Sequence, residues 1–258
     1  MEKYVDEIGV GVELSDVIAF QTRLMMGAQF GRLEAAEKIP DDKKKKEILI
    51  ACLRLGWNDA FRHTSKNVMN GSKSFLEIKS AEYNKEHKAE YDDYICGEIL
   101  SNDGFFNVFK KFALASTSMD KIDVINNNWG EIKILFEDIK DVRGDKALCF
   151  GHFQKMFNMA LKFYLCLYVC KDALGLDTSF FDKEILSNLK NADCPIDSII
   201  LNRLDEILVK KEGANRKKYS SVKWSKMDVD DGSYVKIQKA IDDTNYKSRL
   251  SFDFKEWN

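Results

Sequence analysis

Five polar side chains on one predicted helix could take part in chemistry. The segment GHFQKMFNMALKFYLCLYVC, residues 151–170, has helical spacing, and at about 100° per residue its polar side chains share one arc. They are a histidine, two lysines and two amides, namely His152, Gln154 (at the edge of the arc), Lys155, Asn158 and Lys162. From Phe163 onward the segment is apolar all round, which is typical of a buried helix. We therefore expect the polar half to emerge either into solvent or into a cleft.

These two environments would give the arc different roles. In water it is the basic face of an ordinary amphipathic helix. In a cleft it would bind a ligand through His152, Gln154, Asn158 and Lys162. Because His152 follows Gly151 in the first turn, and backbone N–H groups at a helix start attract anions, that ligand could be a phosphate.

A carboxylate occurs in the segment NADCPIDSIILNRL, which has the pattern of a helix start. Polar residues precede Pro195, and proline is favoured at the first helical position. Asp197 would then lie in the first turn, where a negative charge interacts favourably with the helix dipole. The functional alternative is that Asp197, held beside a cleft, acts as a general base or stabilises charge.

The clearest loop is a basic segment at residues 210–226, KKEGANRKKYSSVKWSK, which has seven Lys or Arg residues against one Glu. Basic side chains neutralise phosphates, and the interleaved aromatic rings could stack on bases. The candidate contacts are Arg216, Lys217, Lys218 and Trp224. The alternative is a solvated surface loop that Trp224 anchors to the core.

Part of this pattern resembles the helix-hairpin-helix DNA glycosylases, and the archaeal 8-oxoguanine branch most of all. Gly151 followed by Lys155 is similar to the hairpin glycine and catalytic lysine of that superfamily, and Pro195-Ile196-Asp197 to its Pro-x-Asp helix start. The resemblance covers residues 151–200, with LCFGHFQ in place of the usual Leu-Pro-Gly-Val-Gly hairpin. It implies that Lys155 forms a Schiff base and that Asp197 activates it.

Other short motifs resemble elements of bacterial proteins without an assigned activity, namely Gly151 to Lys155, Cys194 to Ser198 and Trp224 to Lys226. Gly-x-Ser-x-Gly, phosphate-binding Gly-rich loops and zinc-protease His-Glu motifs do not occur. Six scattered cysteines and three histidines offer no zinc spacing. We expect no metal and no cofactor.

The elements that must position these residues are helices. Two prolines in 258 residues leave long stretches without a helix breaker, and apolar residues recur at spacings of three and four. The sequence predicts an all-α protein of about nine to eleven helices. A polar turn at residues 141–147 predicts an N-terminal lobe, 1–140, and a C-terminal lobe, 141–258, which we expect to form one unit.

Composition limits the functional classes. Apolar residues make up 45% and charged residues 32%, as in globular proteins, and no apolar run approaches the roughly 20 residues of a membrane span. Without a recognisable signal peptide, we expect a cytoplasmic protein. The net charge of −2 means that DNA or another nucleic acid could bind only through a local patch. Two hypotheses remain: a glycosylase/lyase-like DNA repair enzyme that uses Lys155 and Asp197, and a non-catalytic helical protein that binds nucleic acid or a phosphorylated ligand.

Overall fold

Helices make up most of the protein, and the all-α prediction is confirmed. The structure is a computed structural model that describes residues 8–13, 15–18, 20, 41–61, 64–66, 93–136, 139–141, 146–212 and 219–257. These residues contain nine α-helices and one π-helix, within the predicted range.

The α-helices, in chain order, are α1 (Asp41–Ala60), α2 (Asp103–Leu114), α3 (Ser118–Asn127), α4 (Trp129–Leu135), α5 (Phe150–Val169), α6 (Lys183–Asn188), α7 (Ser198–Glu212), α8 (Ser233–Asp242) and α9 (Arg249–Glu256). The π-helix spans Asp93–Leu100. Short 3-10 helices are found at Asp172–Leu174, Thr178–Phe180, Leu189–Asn191, Trp224–Lys226 and Val229–Asp231.

Three short strands form a small antiparallel sheet beside the helices. They are β1 (Thr64–Lys66), β2 (Ile139–Asp141) and β3 (Lys146–Ala147), with β2 in the middle. Ser65 pairs with Lys140, and Lys140 pairs with Ala147. The β2–β3 pair lies at the turn predicted for residues 141–147.

Polar side chains define where several helices begin. Asn102 accepts a hydrogen bond from the backbone N–H of Phe105 at the start of α2. Thr117 and Asp120 form a reciprocal capping box at the start of α3, and Ser248 caps α9 in the same manner. Such caps satisfy N–H groups that have no partner within the helix.

Helix α5 lies at the centre of the fold, and it is buried on all sides from Phe150 to Leu167. It packs closely on α1 at Gly56. A Cβ atom added to this glycine would stand 2.2 Å from the carbonyl oxygen of Met156. The expectation that the polar half of α5 emerges into solvent or a cleft is therefore wrong. The helix stays buried because other parts of the chain supply partners for its polar groups.

The predicted start of helix α7 also needs correction. The helix begins at Ser198, so Pro195 precedes it and is not its first residue. Asp197 is the capping residue, since its Oδ1 accepts hydrogen bonds from the N–H groups of Ile199 (2.9 Å) and Ile200 (3.0 Å). An aspartate at this position satisfies two N–H groups directly, and this fixes both its backbone and its carboxylate.

One hydrophobic core holds the described parts together. Its buried residues come from both sides of residue 141, with Trp57 and Phe109 on one side and Phe157 and Leu204 on the other. The two segments therefore share a core, and the division into lobes at residue 141 stays a prediction.

Candidate active site

Lys155 lies between two carboxylates. Its Nζ is 2.8 Å from Asp59 Oδ2 and 3.4 Å from Asp197 Oδ2. Lys155 belongs to the second turn of α5, Asp59 to the last turn of α1, and Asp197 to the cap of α7. The structure thus brings together the two residues that the sequence marks as catalytic, and it adds a third that the sequence did not reveal.

The three groups differ in their access to solvent. The Lys155 side chain is only 3% exposed and that of Asp197 10% exposed, whereas that of Asp59 is 22% exposed. One ammonium between two carboxylates leaves a net negative charge when all three are ionised. Burial of such charges is tolerated because each has an opposite charge within contact distance.

An aromatic ring borders this group. The ring centre of the half-buried Trp224 lies 4.9 Å from Lys155 Nζ, which is within range of a cation–π interaction. The same ring meets the edge of His152 with 5.9 Å between ring centres. Trp224 therefore packs on the core, as the anchored-loop alternative predicts for this part of the basic segment.

The start of α5 is covered by the turn that contains Trp224. The N–H of Gly151 donates to the carbonyl oxygen of Met227 at 3.0 Å. A Cβ atom at Gly151 would come within 1.8 Å of the Trp224 carbonyl oxygen, so only glycine permits this approach. At Gly151 the structure contradicts the phosphate site predicted for the helix start. The N–H group that would bind the anion already donates to a backbone carbonyl oxygen.

His152 is buried and lies next to a cysteine. Its Nδ1 is 3.4 Å from both the backbone nitrogen and the Sγ of Cys149, the residue that caps α5. The thiol of Cys149 is also 2.9 Å from the carbonyl oxygen of Ser225. His152 thus takes part in closing the helix start, and its predicted contact with a ligand stays a prediction.

The two amides of α5 connect it to the segment that precedes Asp197. Gln154 hydrogen bonds to both backbone groups of Ile196, at 3.0 and 3.2 Å. Asn158 donates to Gln154 Oε1 at 3.5 Å and to Tyr234 Oη at 2.9 Å. Tyr234 in turn donates to Asp193 Oδ2 at 2.8 Å. All of these side chains are buried, so this chain of hydrogen bonds lies within the protein.

Lys162 has a separate partner. Its Nζ is 2.6 Å from Asp253 Oδ2, and the rings of Phe20 and Phe254 lie 3.8 and 4.6 Å away. Burial raises the pKa of Asp253 to about 6, against the opposing effect of the Lys162 ammonium. Lys162 does not share the carboxylates of Lys155, and its charge is balanced within its own aromatic enclosure.

The basic segment is only partly described. Arg216, Lys217 and Lys218 lie outside the described residues. The next two residues in the chain, Tyr219 and Ser220, donate their N–H groups to the buried carboxylate of Asp205 at 2.8 and 2.7 Å. This carboxylate fixes the point at which the segment returns to the fold.

The carboxylates that pair with the lysines of α5 could not be identified from the sequence. Asp59 and Asp253 lie on other helices, far from residues 151–170 in the chain, and neither belongs to a recognisable motif. An indirect signal existed, because a helix with so many apolar residues is buried, and buried lysines require carboxylate partners. That signal indicates that partners exist but not which residues they are.

Comparisons with protein-family models, curated proteins and solved structures find no match. Across the described residues, no helix is long and apolar enough to span a membrane. In the same part of the chain, no three His, Cys, Asp or Glu side chains lie close enough together to bind a metal ion. The function must therefore be argued from the geometry of this site.

Proposed function

We propose that the protein is a nucleic-acid-directed enzyme of the base-excision type, with Lys155 as nucleophile and Asp197 as the carboxylate that activates it. The supporting observation is the 3.4 Å contact between Lys155 Nζ and Asp197 Oδ2. These residues are distant in sequence, and they are the pair to which the glycosylase resemblance assigns the reaction. A nucleophile and the group that accepts its proton must be in contact.

Proton transfer precedes the attack. An ammonium has no lone pair, so one proton passes from Lys155 to a carboxylate before a bond can form. The amine then bonds to the sugar C1′ carbon as the bond to the base breaks, and the base leaves with that electron pair. The leaving base takes up the proton held by the carboxylate. The ring oxygen then leaves C1′ with its electron pair and takes a proton from the attached nitrogen, which produces an imine, and water adds to C1′ and releases the lysine. Asp59 is suited to exchange the proton with solvent, since it is the most exposed of the three groups.

Trp224 would provide the surface for an extruded base or sugar. Enzymes that act on bases take them out of the duplex and hold them against aromatic rings. The ring of Trp224 is half-buried and lies 4.9 Å from the reacting amine. Because the Lys155 side chain is only 3% exposed, a substrate would have to displace part of its cover, and Asp59 and Trp224 are the partly exposed members of that cover.

Borohydride trapping tests the proposal. Reduction of the imine links protein and DNA permanently, so wild-type protein should be trapped on duplexes that carry an oxidised purine or an abasic site. Lys155→Gln should abolish trapping because an amide does not attack the sugar. Asp197→Asn should slow trapping at least tenfold, while the dissociation constant for DNA changes little.

The control substitution must leave the fold unchanged. Lys162→Gln would leave the buried Asp253 without its partner, so it is unsuitable. Lys239→Gln is the better control, because Lys239 is exposed near the end of α8. This variant should be trapped like the wild type, and equal loss of trapping in both lysine variants would contradict the proposed role of Lys155.

A second candidate function is supported by the burial of the site. Lys155 is ion-paired on two sides, and the amide of Gln154 is bonded throughout to the protein. A network of this kind can be purely structural, in a helical protein that binds nucleic acid or a phosphorylated ligand without catalysis. Binding to DNA without trapping on any damaged duplex would favour this alternative.

A further inference from the structure

We infer that Gln154 is a positioning residue, which holds Asp197 at its distance from Lys155 and does not bind a ligand. The inference rests on the proposed function of the Lys155–Asp197 pair. Its basis is a fully buried hydrogen-bond arrangement between α5 and the extended segment 193–197.

The amide of Gln154 hydrogen bonds to both the N–H and the carbonyl group of one residue of that segment, an arrangement that we call a clamp. Its Nε2 donates to the carbonyl oxygen of Ile196 at 3.0 Å, and its Oε1 accepts from the N–H of Ile196 at 3.2 Å. Nε2 also donates to Gly151 at 3.0 Å, and Oε1 accepts from Asn158 at 3.5 Å. The side chain has two donor hydrogens and two acceptor sites, so its hydrogen-bonding capacity is used within the protein.

A second glutamine holds the same segment in the same manner. Gln238 of α8 accepts from the N–H of Cys194 at 3.1 Å and donates to its carbonyl oxygen at 2.8 Å. Pro195, between the two clamped residues, has no N–H group that would need a partner. The extended segment is thus bound by two side-chain amides at alternate residues, as a neighbouring strand would bind it.

The position of Gln154 gives it a specific effect on the site. Gln154 precedes Lys155 on α5, and Ile196 precedes Asp197 on the segment, so the clamp and the ion pair join neighbouring residues. On its other side, Asp197 is fixed by its hydrogen bonds to the N–H groups of α7. The clamp by Gln238 acts at Cys194, farther along the segment from Asp197. Gln154 therefore controls the Lys155–Asp197 distance, and Gln238 does not.

The test compares Gln154→Met with Gln238→Met, because each removes both hydrogen bonds to one residue of the segment. Gln154→Met also removes the bonds to Gly151 and Asn158. Both variants should melt at lower temperature, so trapping is measured well below both melting temperatures and at saturating DNA. Gln154→Met should lower the trapping rate constant at least tenfold with little change in DNA affinity. Gln238→Met should stay within about threefold of the wild type. Equal losses in the two variants would overturn the inference.

Hydrogen exchange tests the same inference without catalysis. The N–H groups of Ile199 and Ile200 depend on Asp197, since N–H groups at a helix start have no acceptor within the helix. Gln154→Met should speed their exchange at least tenfold, and Gln238→Met should not. If wild-type protein fails to trap DNA, the proposed function fails and this measurement alone decides the positioning role. Gln154→Leu, which lacks the same hydrogen bonds and adds no charge, replaces Gln154→Met if the latter does not fold.

Discussion

Lys155 and Lys162 lie on the same helix and differ in how their charges are balanced. Among the described residues Lys162 has one carboxylate partner, which lies within aromatic rings, so that pair is neutral and closed to solvent. Lys155 has two carboxylate partners, one of them partly exposed. A proton that leaves Lys155 can reach solvent through Asp59, whereas the Lys162 pair has no exposed carboxylate. This difference is the reason why we assign reactivity to Lys155.

The Lys155 pair should also stabilise the fold. Removal of one member of a buried ion pair leaves an uncompensated charge, so we expect Lys155→Gln to lower the free energy of unfolding by about 2–4 kcal/mol, less than for a fully buried pair because Asp59 is partly exposed. Urea unfolding measures this change. The exposed-site variant Lys239→Gln should change the value by less than about 0.5 kcal/mol, and an equally small effect at Lys155 would mean that the ion pairs are not formed.

Asp253 should make stability depend on pH. Its pKa is raised from 3.8 in the unfolded chain to about 6 in the folded protein, so the folded state binds the proton more readily. The resulting stabilisation is fully present below about pH 4 and is lost as pH rises through 6. Between pH 7 and pH 5 the wild type should therefore gain about 1 kcal/mol relative to Asp253→Asn, because pH 5 lies one unit below the folded pKa and each unit is worth about 1.4 kcal/mol.

The measurement is the difference between the two proteins, because other groups titrate in the same range and cancel in that difference. Urea unfolding of both proteins at pH 5 and pH 7 provides it. If the difference in the free energy of unfolding between the two proteins is the same at pH 5 and pH 7, Asp253 is ionised like a surface carboxylate.

At the scale of elements, the site depends on how closely three segments approach α5. Helix α1 packs on it at Gly56 and brings Asp59 to Lys155 one turn later. The turn that contains Trp224 packs on it at Gly151, and the clamped segment 193–197 follows Gln154. Because each contact places one member of the site, a change in helix packing should disturb the chemistry as well as the stability.

Substitution of Gly56 tests the packing of α1. In Gly56→Ala the new Cβ would stand 2.2 Å from a backbone oxygen, so the helices must move apart. We expect a loss of about 1–3 kcal/mol, the usual range for overpacking. Gly130→Ala is the matched control, because that helical glycine is exposed and no atom of the described residues lies within 4 Å of the added Cβ, so alanine there should be neutral or stabilising by up to about 1 kcal/mol. Equal effects at the two sites would contradict the close approach of α1 and α5.

Sequence periodicity predicted the helices but not their environment. The spacing of apolar residues is a local property, so α5 and the all-α class were within reach of the sequence. The burial of Lys155 and Lys162 depends on Asp59 and Asp253, which only the folded chain brings close. Pro195 shows a second limit of sequence patterns. Its residue type predicts that it is the first residue of α7, but the helix begins at Ser198, where Asp197 accepts the capping hydrogen bonds.

At the scale of the whole molecule, the net charge of −2 requires that any contact with nucleic acid be local. The basic segment is the candidate. Asp205 binds its backbone at Tyr219, and Trp224, near its C-terminal end, lies beside Lys155. Replacement of Arg216, Lys217 and Lys218 by Gln should reduce the slope of log affinity against log salt by up to about 3. The triple variant Lys183→Gln, Lys190→Gln, Lys239→Gln removes the same charge from exposed sites elsewhere. If both triple variants change the slope equally, the basic segment has no specific contact.

If Lys155 is the nucleophile, it is the residue that borohydride links to DNA. Wild-type protein is reduced with borohydride on a duplex that carries an abasic site, digested with protease and nuclease, and analysed by mass spectrometry. We expect one sugar-modified peptide, in which the modification lies on Lys155, and no such peptide from the Lys155→Gln variant. A modification on another lysine, or none with DNA that is demonstrably bound, would contradict the assignment of Lys155 as the nucleophile.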